Sequence, residues 1–284
     1  MSIIACIGET LWDTYPGRKY LGGAPLNAAV HLASLGDTPL MISAVGRDGP
    51  GRAALAHLDE LGVDCRFMTT NDRPTGQAIV YPEKEGDERF DLPEDVAYDK
   101  TELSGSGLTS LCRMAPKALI YGSLAQKRSA TVRSSVRNIL RAIPGCEGFY
   151  DANLRKQYYD EELVAESIDE CGIFKLNVDE VDMLSYLLFD EVMDPDRFAR
   201  FVFSDFACHT VIVTCGGDGA AAYGRDGTIV RAYPIPVTVV DTVGCGDAFS
   251  AGYLSAWLRT GDMAKAVCAG NEFGAKTATH AGAF

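Results

Sequence analysis

The stretch DTVGCGDAFSAGYLSAWL, residues 241–258, decides both the fold and the chemistry to look for. From Ala248 onward, Phe249, Tyr253 and Trp257 recur every four residues, with Leu254 and Leu258 beside them. That spacing predicts one buried face of a helix. The preceding TIVRAYPIPVTVV, residues 228–240, is rich in β-branched residues and predicts a strand. Gly244 and Gly246 therefore fall where a strand hands over to a helix. Glycines there let successive backbone N–H groups converge, and the helix dipole adds partial positive charge. The pattern predicts an anion site. Asp247 sits awkwardly at its centre, because a carboxylate repels an anion held by amides. Local sequence leaves two readings open: Asp247 caps the helix, or it is a working carboxylate.

The chain has 284 residues, enough for one large α/β domain or two small ones, and 47% of it is apolar, enough for a full core. A net charge of −13 argues against nucleic acid or a membrane surface as partner, since phosphates are repelled at long range. Any phosphate this protein handles needs a locally built positive site. Nine cysteines lie scattered, without C-x-x-C pairs or histidine-spaced clusters, so neither a zinc site nor a disulfide framework is suggested. The first residues read as the strand-like IIACIGE rather than as the charged region and long apolar run of a signal peptide, and no apolar run reaches membrane-helix length. These features predict a soluble, cytoplasmic protein.

Strand-like and helix-like segments alternate along most of the chain. IIACIGE, PLMISAVG, KALIYG, GFYDAN, IFKLN and HTVIVTCGG read as strands, separated by helical segments such as APLNAAVHLASLG and ATVRSSVRNILRAI. Such alternation predicts an α/β fold: a doubly wound, mostly parallel sheet flanked by helices. Residues 74–93 depart from it, reading as two short strands about the turn Glu85-Gly86-Asp87. An irregular TYPGRKYLGG follows the first strand. The expectation is a single domain, 1–284, whose segments near 14–22 and 74–96 form a small β lid or a plain exposed hairpin.

Ligands of open parallel sheets bind beyond the carboxyl ends of the strands. Polar residues gather at those ends: Asp13; Gly22, Gly23 and Asn27; Gly46 and Asp48; Asp151, Asn153 and Arg155; Lys175, Asn177 and Glu180; Thr214, Gly216 and Gly219. One such group is usually a turn or a cap. A group at nearly every strand end predicts a site.

Together these residues resemble the PfkB (ribokinase-like) family of carbohydrate kinases, from Gly8 to Gly282. DTVGCGD is similar to the family's D-T-x-G-A-G-D signature, and GGAPLNAAVHLASLG to its di-glycine signature. GETLWD, VGRDGPG, YGSLAQKR, YDANLR and KLNVDE look most like fructokinases. The resemblance implies that Asp247 is the general base toward a sugar hydroxyl, with the amides of Gly244, Cys245 and Gly246 holding the transferring phosphoryl group. It implies sugar contacts from Asp13, Gly22, Gly23, Asn27 and Arg155. ATP contacts are implied for Lys175, Asn177, Thr214, Gly216, Gly219 and Asn271, although a solvated strand-end Lys175 fits the local sequence equally well. Glu180 of the N-x-x-E motif would orient Mg²⁺ largely through water, and Asp241 would serve a monovalent cation such as K⁺. The implied partners are a sugar and ATP, with a homodimer through the lid.

Three departures from the family pattern stand out: Cys245 for alanine, Lys156-Gln157 for a pair of prolines, and Cys215 for a larger apolar residue. A thiol beside converging amides at a helix start should be more thiolate-like than the other cysteines, though Asp247 opposes this; an inert thiol pointing into the packed helix–sheet interface is the equal alternative. Among sugars fructose leads, with 2-keto-3-deoxygluconate, ribose and nucleosides as alternatives. A nicotinamide dehydrogenase would need G-x-G-x-x-G after the first strand, and a Walker kinase G-x-x-x-x-G-K-[ST]; neither occurs. A silent sugar sensor on the same fold would have no use for Asp247, Gly244, Gly246 and Glu180 together.

Overall fold

The computed structural model describes residues 1–81, 90–155 and 157–284. Strand β1 (Ile3–Ile7) leads into a hairpin of β2 (Leu11–Tyr15) and β3 (Arg18–Gly22), followed by helix α1 (Ala24–Ser34). Next come β4 (Thr38–Gly46), α2 (Gly49–Glu60), β5 (Asp64–Asn71), β6 (Gly76–Val80) and β7 (Phe90–Asp91). Helices and strands then alternate through α3 (Gly105–Met114), β8 (Ala118–Gly122), α4 (Ser123–Arg128), α5 (Ala130–Ala142), β9 (Glu147–Asp151) and α6 (Glu161–Glu170). After them run β10 (Ile173–Asn177), α7 (Val178–Phe189), α8 (Pro195–Asp205), β11 (Thr210–Thr214), β12 (Ala220–Gly224) and β13 (Ile229–Ala232). Two long helices follow, α9 (Cys245–Thr260) and α10 (Met263–Thr277).

The main sheet has nine strands in the order β13-β12-β11-β10-β9-β8-β1-β4-β5. From β11 to β5 every neighbour is parallel, and β12 and β13 add an antiparallel edge. Alternate residues of one strand enter opposite cores: Ala5 and Ile7 on one face, Ile4 and Cys6 on the other. Both faces are buried, which is why these strands read as unbroken apolar runs. The fold is the doubly wound sheet expected. Helices start on local signals: Asp48 caps α2, Asp160 caps α6 and Asp194 caps α8, each accepting from a backbone amide of the first turn. Among the described residues no helix is long and apolar enough to cross a membrane.

β1 lies between β4 and β8, so the chain leaves it in one direction and later resumes on its other side. A crevice opens at such a switch point, beyond the carboxyl ends of the strands. A second sheet, ordered β3-β2-β6-β7, is built from residues 11–22, 76–80 and 90–91. TYPGRKYLGG is therefore not irregular: β2 and β3 pair antiparallel in full register, and Asp13 lies inside β2 rather than in a loop. The expected turn Glu85-Gly86-Asp87 and Lys156 lie outside the described residues.

Two expectations around the opening stretch need correction. The strand expected over 228–240 covers only Ile229–Ala232, and residues 233–240 pair with no strand. Pro234 and Pro236 carry no N–H for a ladder, so the strand cannot continue. Helix α9 begins at Cys245, three residues before its apolar periodicity starts at Ala248. Its first turn faces the crevice, and only the later turns meet the core.

Candidate active site

The start of α9 is braced from three sides. Gly244 has φ 78°, and a Cβ there would lie 2.6 Å from the Cα of Ala283. Only glycine fits so close an approach in the left-handed region. One Asp241 carboxylate oxygen accepts from the amide of Val243 and the other from that of Gly282, both at 3.1 Å. The Asp241 side chain thus closes the loop onto the C-terminal residues. On α1, His31 Nε2 lies 2.8 Å from the carbonyl oxygen of Ala283.

Asp247 does not cap the helix: the N-cap is Gly244, with no side-chain cap bond. Instead its Oδ2 accepts from Asn27 Nδ2 at 2.8 Å, across 220 residues of sequence. Asn27 is buried, and its Oδ1 has no hydrogen-bond partner among the described residues. Burial, reinforced by the Asp151 charge, lifts the Asp247 carboxyl to about 7, against the pull of Asn27, Lys175 and Arg155. The helix N-terminus favours the ionised form. Desolvation outweighs it.

Beneath the loop, Lys175 Nζ lies 3.0 Å from each carboxylate oxygen of Asp151, and Ser250 Oγ donates to Asp151 at 2.9 Å. Burial alone would discharge this lysine, but Asp151 and Glu180 hold its pKa above the ordinary value. A Cβ on Gly246 would sit 3.1 Å from Nζ, so the ammonium lies directly under the anion loop. The solvated lysine allowed by the local sequence is not what the structure holds.

Asn177 and Glu180 form a reciprocal capping box at the start of α7, with bonds of 2.9 and 2.8 Å. The second Glu180 oxygen accepts from the amide of Leu154 at 2.7 Å, fixing the loop that carries Asn153 and Arg155. Gly22 and Gly23 make room for protein rather than for ligand alone. A Cβ on Gly22 would lie 2.5 Å from Asp13 Oδ2, and one on Gly23 would lie 2.3 Å from the Glu9 carbonyl oxygen. Burial raises Asp13 to about 6, with Arg155 pulling the other way.

These side chains line two chambers. The larger, about 590 Å³, takes in Asp13, Asn27, Arg155, Lys175 and Asp247. The smaller, about 270 Å³, is mostly apolar, with Ile235, Val237, Phe249 and Asn271 in its walls. Thr214, Gly216, Thr242 and Gly246 belong to both, so the chambers meet at the anion loop. Asn271 Nδ2 donates to the Tyr233 carbonyl at 2.8 Å, tying α10 to the segment that covers the smaller chamber. Gly46 and Asp48 line neither chamber. Asp48 caps α2 and binds Thr75 at 2.6 Å, which is the plain structural reading of a polar strand end.

Glu9 was missed. It is buried at the end of β1, accepts from the Ala24 amide at 3.1 Å and lines the larger chamber. An acid directly after an apolar strand was the available signal. Asp151 was noted at a strand end, but its ion pair could not be read from the sequence.

Cys245 contradicts the expected thiolate. Burial, then Asp241 and Asp247, push its thiol up to about 11, beyond what the helix start can offset. Alkylation at neutral pH is accordingly expected to label exposed Cys268 before Cys245, and Cys245→Ala to remain active. Peptide mass spectrometry after partial labelling checks this, and first labelling at Cys245 would contradict it.

A family model for "pfkB family carbohydrate kinase" matches residues 8–284. The chain belongs to this family. It is a kinase, a phosphotransferase with an alcohol group as acceptor. It is 30% identical over 315 aligned residues to the aminoimidazole riboside kinase of Salmonella typhimurium, covering 100% of this kinase and 91% of the relative. To a 5-dehydro-2-deoxygluconokinase of Clostridium perfringens it is 25% identical over 284 residues, covering 96% and 81%. Its fold superposes with a TM-score of 0.83 on the fructokinase of Vibrio cholerae O395 solved with fructose, ADP and calcium ion, at 23% identity and with 100% and 94% coverage.

Proposed function

We propose that this kinase transfers the γ-phosphoryl group of ATP to a hydroxyl of a monosaccharide, with fructose as the first candidate and Asp247 as the base. One observation carries the reading: a half-buried carboxylate with its pKa near 7 stands where a polar and an apolar chamber meet at a helix N-terminus. The apolar chamber suits a nucleotide base, with Asn271 at its wall and the triphosphate running along Thr214, Gly216 and Gly219 toward Gly246. The polar chamber suits a sugar. Asp13 and Arg155 face it, and the unpartnered Asn27 Oδ1 can accept a hydroxyl proton. The four-stranded sheet acts as the lid, presenting Asp13, Ala78 and Phe90 to the acceptor.

In the transfer, Asp247 takes the proton of the attacking sugar hydroxyl while the oxygen of that hydroxyl bonds the γ-phosphorus. The bond from that phosphorus to the bridging oxygen breaks, and ADP leaves. The amides of Gly244, Cys245 and Gly246, with Lys175 beneath them, oppose the charge on the transferring group. Among the described residues no three acidic, histidine or cysteine side chains could hold a metal together. Mg²⁺ would be held mainly by phosphate and water, with Asp179 in the chamber wall and Glu180 beside it in the first turn of α7. Mg²⁺, when bound, supplies further neutralisation of phosphate charge.

Because the base works deprotonated, kcat/KM is expected to rise with pH through an apparent pKa near 7. A profile flat from pH 5.5 to 8.5 would contradict it. The binding half of the proposal is tested by thermal shift against a sugar and nucleoside panel with a non-hydrolysable ATP analogue. A monosaccharide should raise Tm by mass action. Stabilisation by nucleosides alone would move the acceptor to that class.

A further inference from the structure

We infer, resting on the sugar-kinase reading above, that His31 is a positioning residue, which through the carbonyl of Ala283 fixes the anion loop relative to Asp247. Asn27 and His31 stand one turn apart on the same face of α1. Asn27 reaches the base directly, donating to Asp247 Oδ2 at 2.8 Å. His31 reaches the loop through one residue. Its Nε2 lies 2.8 Å from the Ala283 carbonyl oxygen, and a carbonyl only accepts, so the ring proton sits on Nε2. Burial draws the imidazole pKa below its ordinary value, against the pull of the Ala283 bond. The ring therefore works as a neutral donor, and a glutamine amide of similar reach can take its place.

Ala283 in turn lies against the loop backbone. A Cβ on Gly244 would come within 2.6 Å of both the Cα and the Cβ of Ala283. It would also lie 2.9 Å from the carbonyl oxygen that His31 holds. The preceding residue is tied to the same loop, since the Gly282 amide donates to Asp241 Oδ2 at 3.1 Å. His31 and Ala283 are both buried, so removing the ring withdraws a donor from a buried acceptor. Any shift of Ala283 toward a new partner passes to Gly244, and so to the amides of Cys245 and Gly246. One helix thereby sets the spacing between the base and the amides that face the transferring group.

The test compares wild type with His31→Gln, His31→Asn and His31→Leu, using MgATP and whichever of fructose, ribose and aminoimidazole riboside wild type uses best. Each rate is expressed per ADP-binding site counted by calorimetric titration, so that misfolded molecules drop out. His31→Asn, whose amide is too short, and His31→Leu, which has no donor, should lower kcat by about 10- to 100-fold, the scale on which a misplacement of about 1 Å acts. Acceptor KM should hardly move, because the loss falls on the transition state. His31→Gln should keep most of wild-type kcat. If His31→Leu does not fold, the glutamine and asparagine variants decide by themselves. Wild-type kcat per site in His31→Asn, a loss carried by KM, or a glutamine variant no better than asparagine would overturn the inference while leaving phosphoryl transfer standing. No transfer by wild type to any of the three acceptors would overturn the sugar-kinase reading and this inference with it.

Discussion

Asp247→Asn is expected to lower kcat on the order of 10²–10⁴-fold, the usual contribution of a positioned base. Sugar affinity should change far less, because the amide keeps the shape of the carboxyl and can still accept from Asn27 Nδ2. The same variant should gain stability. In the fold the Asp247 carboxyl titrates at about 7, whereas in the unfolded chain it titrates near the ordinary value of about 4. A group raised in this way favours the folded state below the unfolded pKa and loses that favour as pH climbs through the folded one. The variant should therefore melt above wild type at pH 8, with the gap closing toward pH 4. Steady-state kinetics and a Tm series over pH read both effects. A variant with more than about half of wild-type kcat would remove Asp247 from the mechanism.

Lys175→Met should cost both fold and activity. It leaves Asp151 as a buried charge with Ser250 as its one remaining side-chain partner among the described residues, and breaking one side of a buried pair costs roughly 3–5 kcal/mol. For a chain of this size the expected fall in Tm is on the order of 10 °C. Removing the second charge as well, in Lys175→Met with Asp151→Asn, should recover much of the lost Tm. It should not recover kcat, since the ammonium under the anion loop is still gone. Differential scanning calorimetry of the two variants measures the first effect, and saturation kinetics the second. An unchanged Tm in Lys175→Met would show that the pair is not the buried brace described.

The sheet was legible because its strands are buried on both faces, so Ile3–Ile7, Ala118–Gly122 and Thr210–Thr214 read as apolar runs between helical periods. The anion loop was legible because its parts are neighbours in sequence. What stayed hidden depends on contacts between distant residues. Asn27 meets Asp247 across 220 positions. Asp151 meets Lys175 only because β9 and β10 pair in the register that sets them side by side. The Cys245 pKa was misjudged for the same reason: the helix start is local and visible, while the burial that overrules it is tertiary. Pro234 and Pro236 were a different case, a written signal against the strand that β-branched neighbours obscured.

The central claim is phosphoryl transfer to a sugar hydroxyl at the Asp247 site. Phosphorus-31 NMR of the protein with ATP, Mg²⁺ and fructose tests it most directly. A new sugar phosphomonoester resonance should grow as the ATP γ signal falls, and Asp247→Asn should all but abolish it. Release of inorganic phosphate alone, or the same phosphomonoester formed by Asp247→Asn at the wild-type rate, would contradict the account.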